Sequence, residues 1–126
     1  MHYYFPGMAI GFILLQSAIV APTLFKMLSK EDFGVVIRGL WPKFFIGLGL
    51  IGIGSLVSLL THSNSSNIQY LIASSTIIFS FFCYAIIPAT NRATDEKNEK
   101  KFKILHKLSV YLTITMLLSN IGFLFT

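Results

Sequence analysis

Charge is scarce in this chain: Asp, Glu, Lys and Arg make up 12 % of its 126 residues, against 54 % hydrophobic ones. That balance excludes an ordinary water-soluble domain, in which about a quarter of residues are charged. Cysteine is scarcer still. Cys83 stands alone, so neither an internal disulfide nor a CxxC metal or redox motif can form. The acidic side chains are five, Glu31, Asp32, Asp95, Glu96 and Glu99, and all fall in two polar connections. With no carboxylate inside an apolar stretch, an ion-coupled transporter is disfavoured, because that class relies on such groups.

What the chain has in quantity is long apolar runs. A membrane-spanning helix needs about 20 mostly apolar residues, and four such stretches cover residues 3–25, 44–60, 68–87 and 104–125. The expectation is an all-α integral membrane four-helix bundle, one transmembrane domain over residues 1–126, with a short amphipathic interfacial helix between helices 1 and 2. The first stretch lacks the basic n-region of a cleaved signal peptide and is read as a span. In the interfacial segment Ser29 is a suitable N-cap, with Glu31 and Asp32 in the first turn and Phe33, Val36, Ile37 and Leu40 at helical spacing. Trp41 sits where an aromatic-belt residue would, and Pro42 is expected to end the element. Pro88 is expected to end the third span in the same way. Thr94 then caps a long final helix beginning at Asp95 and Glu96, with Glu96/Lys100 and Glu99/Lys103 as favourable pairs.

Glycine is dense in the first two spans. Gly7 with Gly11, Gly47, and Gly54 with Ser58 supply small-residue faces that let helices approach closely in lipid. These faces predict packing against a partner, either a second copy of the chain or a larger membrane complex.

The ten Lys and Arg residues gather in or beside the first and third connections, and the loop between residues 61 and 67 carries none. In a four-span protein those two connections share a side. The positive-inside rule makes that side cytoplasmic, in an inner-membrane, multi-pass arrangement with both termini outside. The net charge of +5 is explained by anionic headgroups rather than nucleic acid, with Trp41, Lys97, Lys100, Lys101 and Lys103 as lipid or partner contacts.

Chemistry has few places to reside. On the last helix His106, Ser109, Thr113 and Asn120 fall within about 60° of one another at 100° per residue and form one polar stripe. Gln16 is a possible mid-depth partner, and Cys83 belongs at the depth of His106. Polar groups at that depth are candidates for a ligand site; interhelical hydrogen bonding is the alternative. No nucleophile, base and orienting acid can be assembled, so a non-enzymatic role is expected and no cofactor is predicted. One His with one Cys is a poor ligand set for haem or a metal.

Several segments resemble the transmembrane protein 205-like family, a four-helix membrane domain of unknown function. They are Val20-Ala-Pro-Thr-Leu-Phe25, Asp32-Phe-Gly34, Leu40-Trp-Pro-Lys-Phe-Phe45, Pro88-Ala-Thr-Asn-Arg92 and Phe102-Lys-Ile-Leu-His106-Lys-Leu-Ser109. The resemblance implies a four-helix membrane fold and draws attention to Asn91, Arg92 and His106. It also implies a distant similarity to copper-resistance and protoporphyrinogen-oxidase-like proteins, whose bundle histidines bind metal or haem. The first helix here has no inward His to match them, and His106 is the residue carried over. Together these features predict a helix-packing or accessory subunit of a membrane complex. The alternative is a protein that binds or transports a small ligand, metal or haem through the stripe around His106.

Overall fold

The computed structural model describes residues 2–126, and every regular element among them is helical. The chain starts with α1, Tyr4–Leu14, passes through a π-helical turn at Leu15–Val20, and continues as α2, Ala21–Met27. Pro22 accounts for the wide turn. It has no N–H to give to the Ala18 carbonyl, and its ring would crowd that oxygen in a regular α-helix. The Ala21 N–H instead reaches back to the Gln16 carbonyl, a five-residue step that makes room for the ring. The three segments form one rod, Tyr4–Met27.

Helix α3, Lys30–Thr61, begins at the anticipated cap: the Ser29 hydroxyl accepts the Asp32 N–H at 3.1 Å. Glu31 and Asp32 in its first turn suit the positive end of the helix dipole. The end differs from expectation. Pro42 lies inside a continuous helix of 32 residues, so the segment before it is the start of α3 rather than a separate interfacial helix. Proline removes one backbone hydrogen bond there. The aromatic packing of Trp41 on Phe44 and Phe45, with ring centres 6.2 and 5.4 Å apart, holds both sides of the interruption in register.

Helix α4, Asn67–Asp95, opens with a reciprocal capping box between Ser66 and Gln69. It also runs through its proline, Pro88, which corrects the expected end of the third span. Thr94 caps nothing; it sits within α4 and donates to the Thr90 carbonyl at 3.1 Å. The helix ends one residue later, at Asp95. The Lys97 N–H reaches the Thr94 carbonyl at 3.1 Å and the Asn98 N–H reaches the Ala93 carbonyl at 2.9 Å, the paired bonds of a Schellman turn. That turn puts Lys97 in the left-handed region at φ 56°, where glycine is usual. Asn98 then caps α5, Glu99–Phe123, by accepting the Lys101 N–H at 3.2 Å.

The rod and α3, α4 and α5 are each long and apolar enough to cross a membrane. Helices α3 and α4, of 32 and 29 residues, extend about 48 and 44 Å, more than the roughly 30 Å of a hydrocarbon core. Helix α4 packs between α3 and α5, and α1 packs on α3 and α5. The main core joins Ala9, Ile13, Phe44, Phe45, Leu48, Cys83 and Met116, and a second cluster of Leu59, Ile72, Ala73 and Phe123 closes the opposite end. Beyond that second cluster the rings of His2 and His62 stack 4.0 Å apart, fastening the start of the rod to the α3–α4 turn.

Candidate functional site

The polar stripe of α5 is real as a face, but its members divide into two groups. Ser109, Thr113 and Asn120 are buried, whereas His106 is exposed. The buried part is consumed by hydrogen bonds. Asn120 donates to Thr76 Oγ1 at 3.0 Å and to the Met116 carbonyl at 2.7 Å, Thr113 donates to the Ser109 carbonyl at 2.7 Å, and Ser80 donates to the Thr76 carbonyl at 2.6 Å. Of these, the Asn120–Thr76 bond crosses between helices and pins the register of α5 on α4. Together they engage the donor groups of Asn120 and Thr113.

Gln16 sits in the π-helical turn, 7 % exposed, and its Nε2 meets no acceptor. It does not join the stripe. One turn away Phe12 stacks on Phe44 at 5.2 Å, which places Gln16 nearer the charged end than that stack. Cys83 is wholly buried in the main core, beside Ser109. Among the described residues no three His, Cys, Asp or Glu side chains cluster as metal ligands.

A large cavity opens at the charged end. Its volume is about 960 Å³, at the top of the range for small-molecule sites. The first part of α3, the last turns of α4 and the first three turns of α5 enclose it, with Ala21 of the rod behind. Its deep wall is Phe45, Ala93 and Ser109, all buried, with Trp41 half-buried beside them. Phe33, Ile37, Ile87 and Phe102 extend the apolar lining. Toward the mouth come Lys30, Arg38, Lys97 and Lys103, with Glu99 as the one acidic member. His106 belongs to this groove, its ring stacked on Phe102 at 5.5 Å. Asn91 lines the wall as well, whereas Arg92 is exposed outside it. Of the family-suggested trio, then, Asn91 and His106 come together and Arg92 does not.

Arg38 ties the groove shut at one side. Its guanidinium donates both branches to the Asp95 carboxylate, Nη1 to Oδ2 at 3.2 Å and Nη2 to Oδ1 at 2.5 Å, and Nη2 lies 3.5 Å from the Asn91 carbonyl. Hydrogen bonding to Arg38, reinforced by its charge, holds the Asp95 carboxyl below the usual carboxylate range and pushes the arginine further up. This is the one ion pair among the described residues. Sequence patterning gave no hint of it, since the partners are 57 positions apart. The place of Lys97 in the groove wall depends on the Schellman turn, which no glycine announces.

The glycines also separate. A Cβ at Gly47 would lie 2.9 Å from the Phe12 ring and one at Gly54 2.5 Å from the Phe5 ring, so both serve contacts of the rod with α3 inside the chain. Ser58 donates to its own helix, to the Ser55 carbonyl at 2.8 Å. Gly7 and Gly11 have nothing within 4 Å and form an unpartnered face. Lys100 and Lys101 are exposed, while Lys103 lines the groove.

Comparison with known proteins assigns a family but no activity. An uncharacterized protein of Aquifex aeolicus (strain VF5) is 27 % identical over 106 residues, covering 84 % of this chain and 78 % of that one. No solved structure matches. The family profile described as "Domain of unknown function (DUF4149)" matches residues 5–99, a span that holds the rod, α3, α4 and the Schellman turn. The chain therefore belongs to the DUF4149 family.

Proposed function

We infer that this is a multi-pass inner-membrane protein that binds a small amphipathic ligand in the groove at its basic end, without enzymatic chemistry of its own. The observation that carries this reading is the groove's division: aromatic and aliphatic side chains at depth, cations and His106 at the mouth. A site of that make-up suits a molecule with one polar end and one apolar end. The basic rim would sit at the cytoplasmic headgroup level, as the positive-inside rule directs. The motifs around both charged connections favour a place among transmembrane protein 205-like members of the family. Binding at the His106 end of the stripe takes precedence over its remainder, because Thr113 and Asn120 are already hydrogen-bonded.

Gly34 offers a direct test. It lines the groove, and a Cβ there meets nothing within 4 Å, so the side chain of Gly34→Trp would start in open space and occupy the groove. In native mass spectrometry after gentle release from lipid nanodiscs, the unaltered chain should retain a bound small amphiphile that Gly34→Trp loses. Equal retention by both would refute the groove as the site.

An accessory role in a membrane complex, with a second copy or another subunit, is the second reading. Its support is the open face at Gly7 and Gly11, where a neighbouring helix could approach closely. The same spectra report oligomeric state. A complex lost in Gly7→Leu/Gly11→Leu would support the packing role, and a monomer throughout would remove it.

A further inference from the structure

The composition of the groove mouth indicates more about the ligand than its amphipathic character. Four cations, Lys30, Arg38, Lys97 and Lys103, line the groove against one carboxylate, Glu99. Arg38 is already engaged by Asp95, which leaves the three lysines. Lys97 occupies the left-handed position of the Schellman turn at φ 56°, where glycine is usual. The side chain that takes this position lines the cavity. Beneath the cations, Phe33, Ile37, Trp41, Phe45 and Ile87 supply a wall with no charge. The groove follows α5 from Glu99 to Ser109, about 15 Å of helix, long enough to take a chain as well as a head.

Resting on the groove reading above, we propose that the ligand is a phosphorylated single-chain amphiphile, its phosphate held by Lys30, Lys97 and Lys103 and its chain laid on Trp41 and Phe45. A phosphate suits this mouth better than a carboxylate does. It carries more charge and more acceptor oxygens, and several separate ammonium groups can each donate to it as point charges. Anionic phospholipids of the bilayer and soluble phosphate share the head chemistry, so the chain must be tested separately from the head.

Trp41 is the sole tryptophan and lies in the groove wall, which makes its emission a built-in reporter. With the full chain in phosphatidylcholine nanodiscs, octyl phosphate should shift Trp41 emission to the blue and saturate, whereas inorganic phosphate and octyl glucoside should bind far more weakly. Lys30→Gln/Lys103→Gln removes two groove cations and should weaken octyl phosphate by about tenfold or more, the scale of one charge-assisted hydrogen bond. Lys26→Gln/Lys100→Gln/Lys101→Gln removes three exposed cations outside the groove and should weaken it less than about threefold. Equal losses in the two variants would reduce the effect to general surface attraction and overturn the proposal. Octyl glucoside binding as tightly as octyl phosphate would overturn the phosphate but keep the groove. Inorganic phosphate matching octyl phosphate would overturn the chain. No response of Trp41 to any of them would bring down both the proposal and the groove reading.

Discussion

Gly52 shows how closely the helices of this bundle approach. A Cβ at that position would stand 2.9 Å from Ile77 Cγ1 and 3.2 Å from the Ile77 backbone nitrogen, and the backbone atom has no room to yield. Gly52→Ala should therefore push α3 from α4 and cost about 1–3 kcal/mol, the usual range for overpacking. Gly7→Ala adds a methyl group to open space and should be neutral or slightly stabilising, because alanine favours helix over glycine by about 1 kcal/mol. Chemical denaturation in detergent compares the two directly. Comparable losses would mean that the tight α3–α4 contact is wrong. The sequence displayed glycine density without saying which glycines are crowded. Gly47 and Gly54 proved to be seats for Phe12 and Phe5, and which aromatic reaches which glycine is decided by tertiary register.

Helix ends were partly legible because caps are local chemistry. Ser29 and Asp32 are three positions apart, and their bond formed as the spacing suggested. Pro42 and Pro88 misled for a physical reason: a proline stop holds in water, but a helix packed on both sides of the residue continues through it. As a result α3 and α4 both extend past the apolar region, where Arg38 and Asp95 join them. The depressed Asp95 carboxyl fixes the sign of the pH effect. A group with a lowered folded-state pKa contributes above its unfolded value, about 3.9, and loses that contribution as pH falls through the lower folded value. Acidification through this depressed value, below the ordinary carboxylate range, should therefore release the clamp, and Asp95→Asn should reproduce the release at neutral pH. Both partners are solvent-exposed, and exposed pairs are weak, so global unfolding should scarcely move. The local readout is faster amide exchange over residues 30–40 in Asp95→Asn. Unchanged exchange there would show that Arg38 does not hold the two helices together.

At the scale of the whole molecule, the solvent around these helices determines everything else. Four helices of sufficient length and apolarity were foreseeable from composition alone, because hydrocarbon imposes a minimum length that chance seldom supplies. The groove was not, since it needs α3, α4 and α5 to diverge where their polar ends emerge, and no local pattern encodes divergence. Chain direction gives the arrangement its sidedness. The rod and α4 end at the lysine-rich connections, and α3 and α5 begin there. Single cysteines at Lys30 and Lys100 should thus react with an impermeant maleimide from one side of sealed vesicles, and a cysteine at Ser63 from the other. Cys83 is fully buried and contributes little background; Cys83→Ala removes even that. On the proposed topology, with the shared face cytoplasmic, right-side-out vesicles should protect the Lys30 and Lys100 positions and expose the Ser63 position. Labelling of Lys30→Cys and Lys100→Cys from opposite faces would leave an odd number of crossings between them, separate the cations of the groove mouth, and dissolve the site.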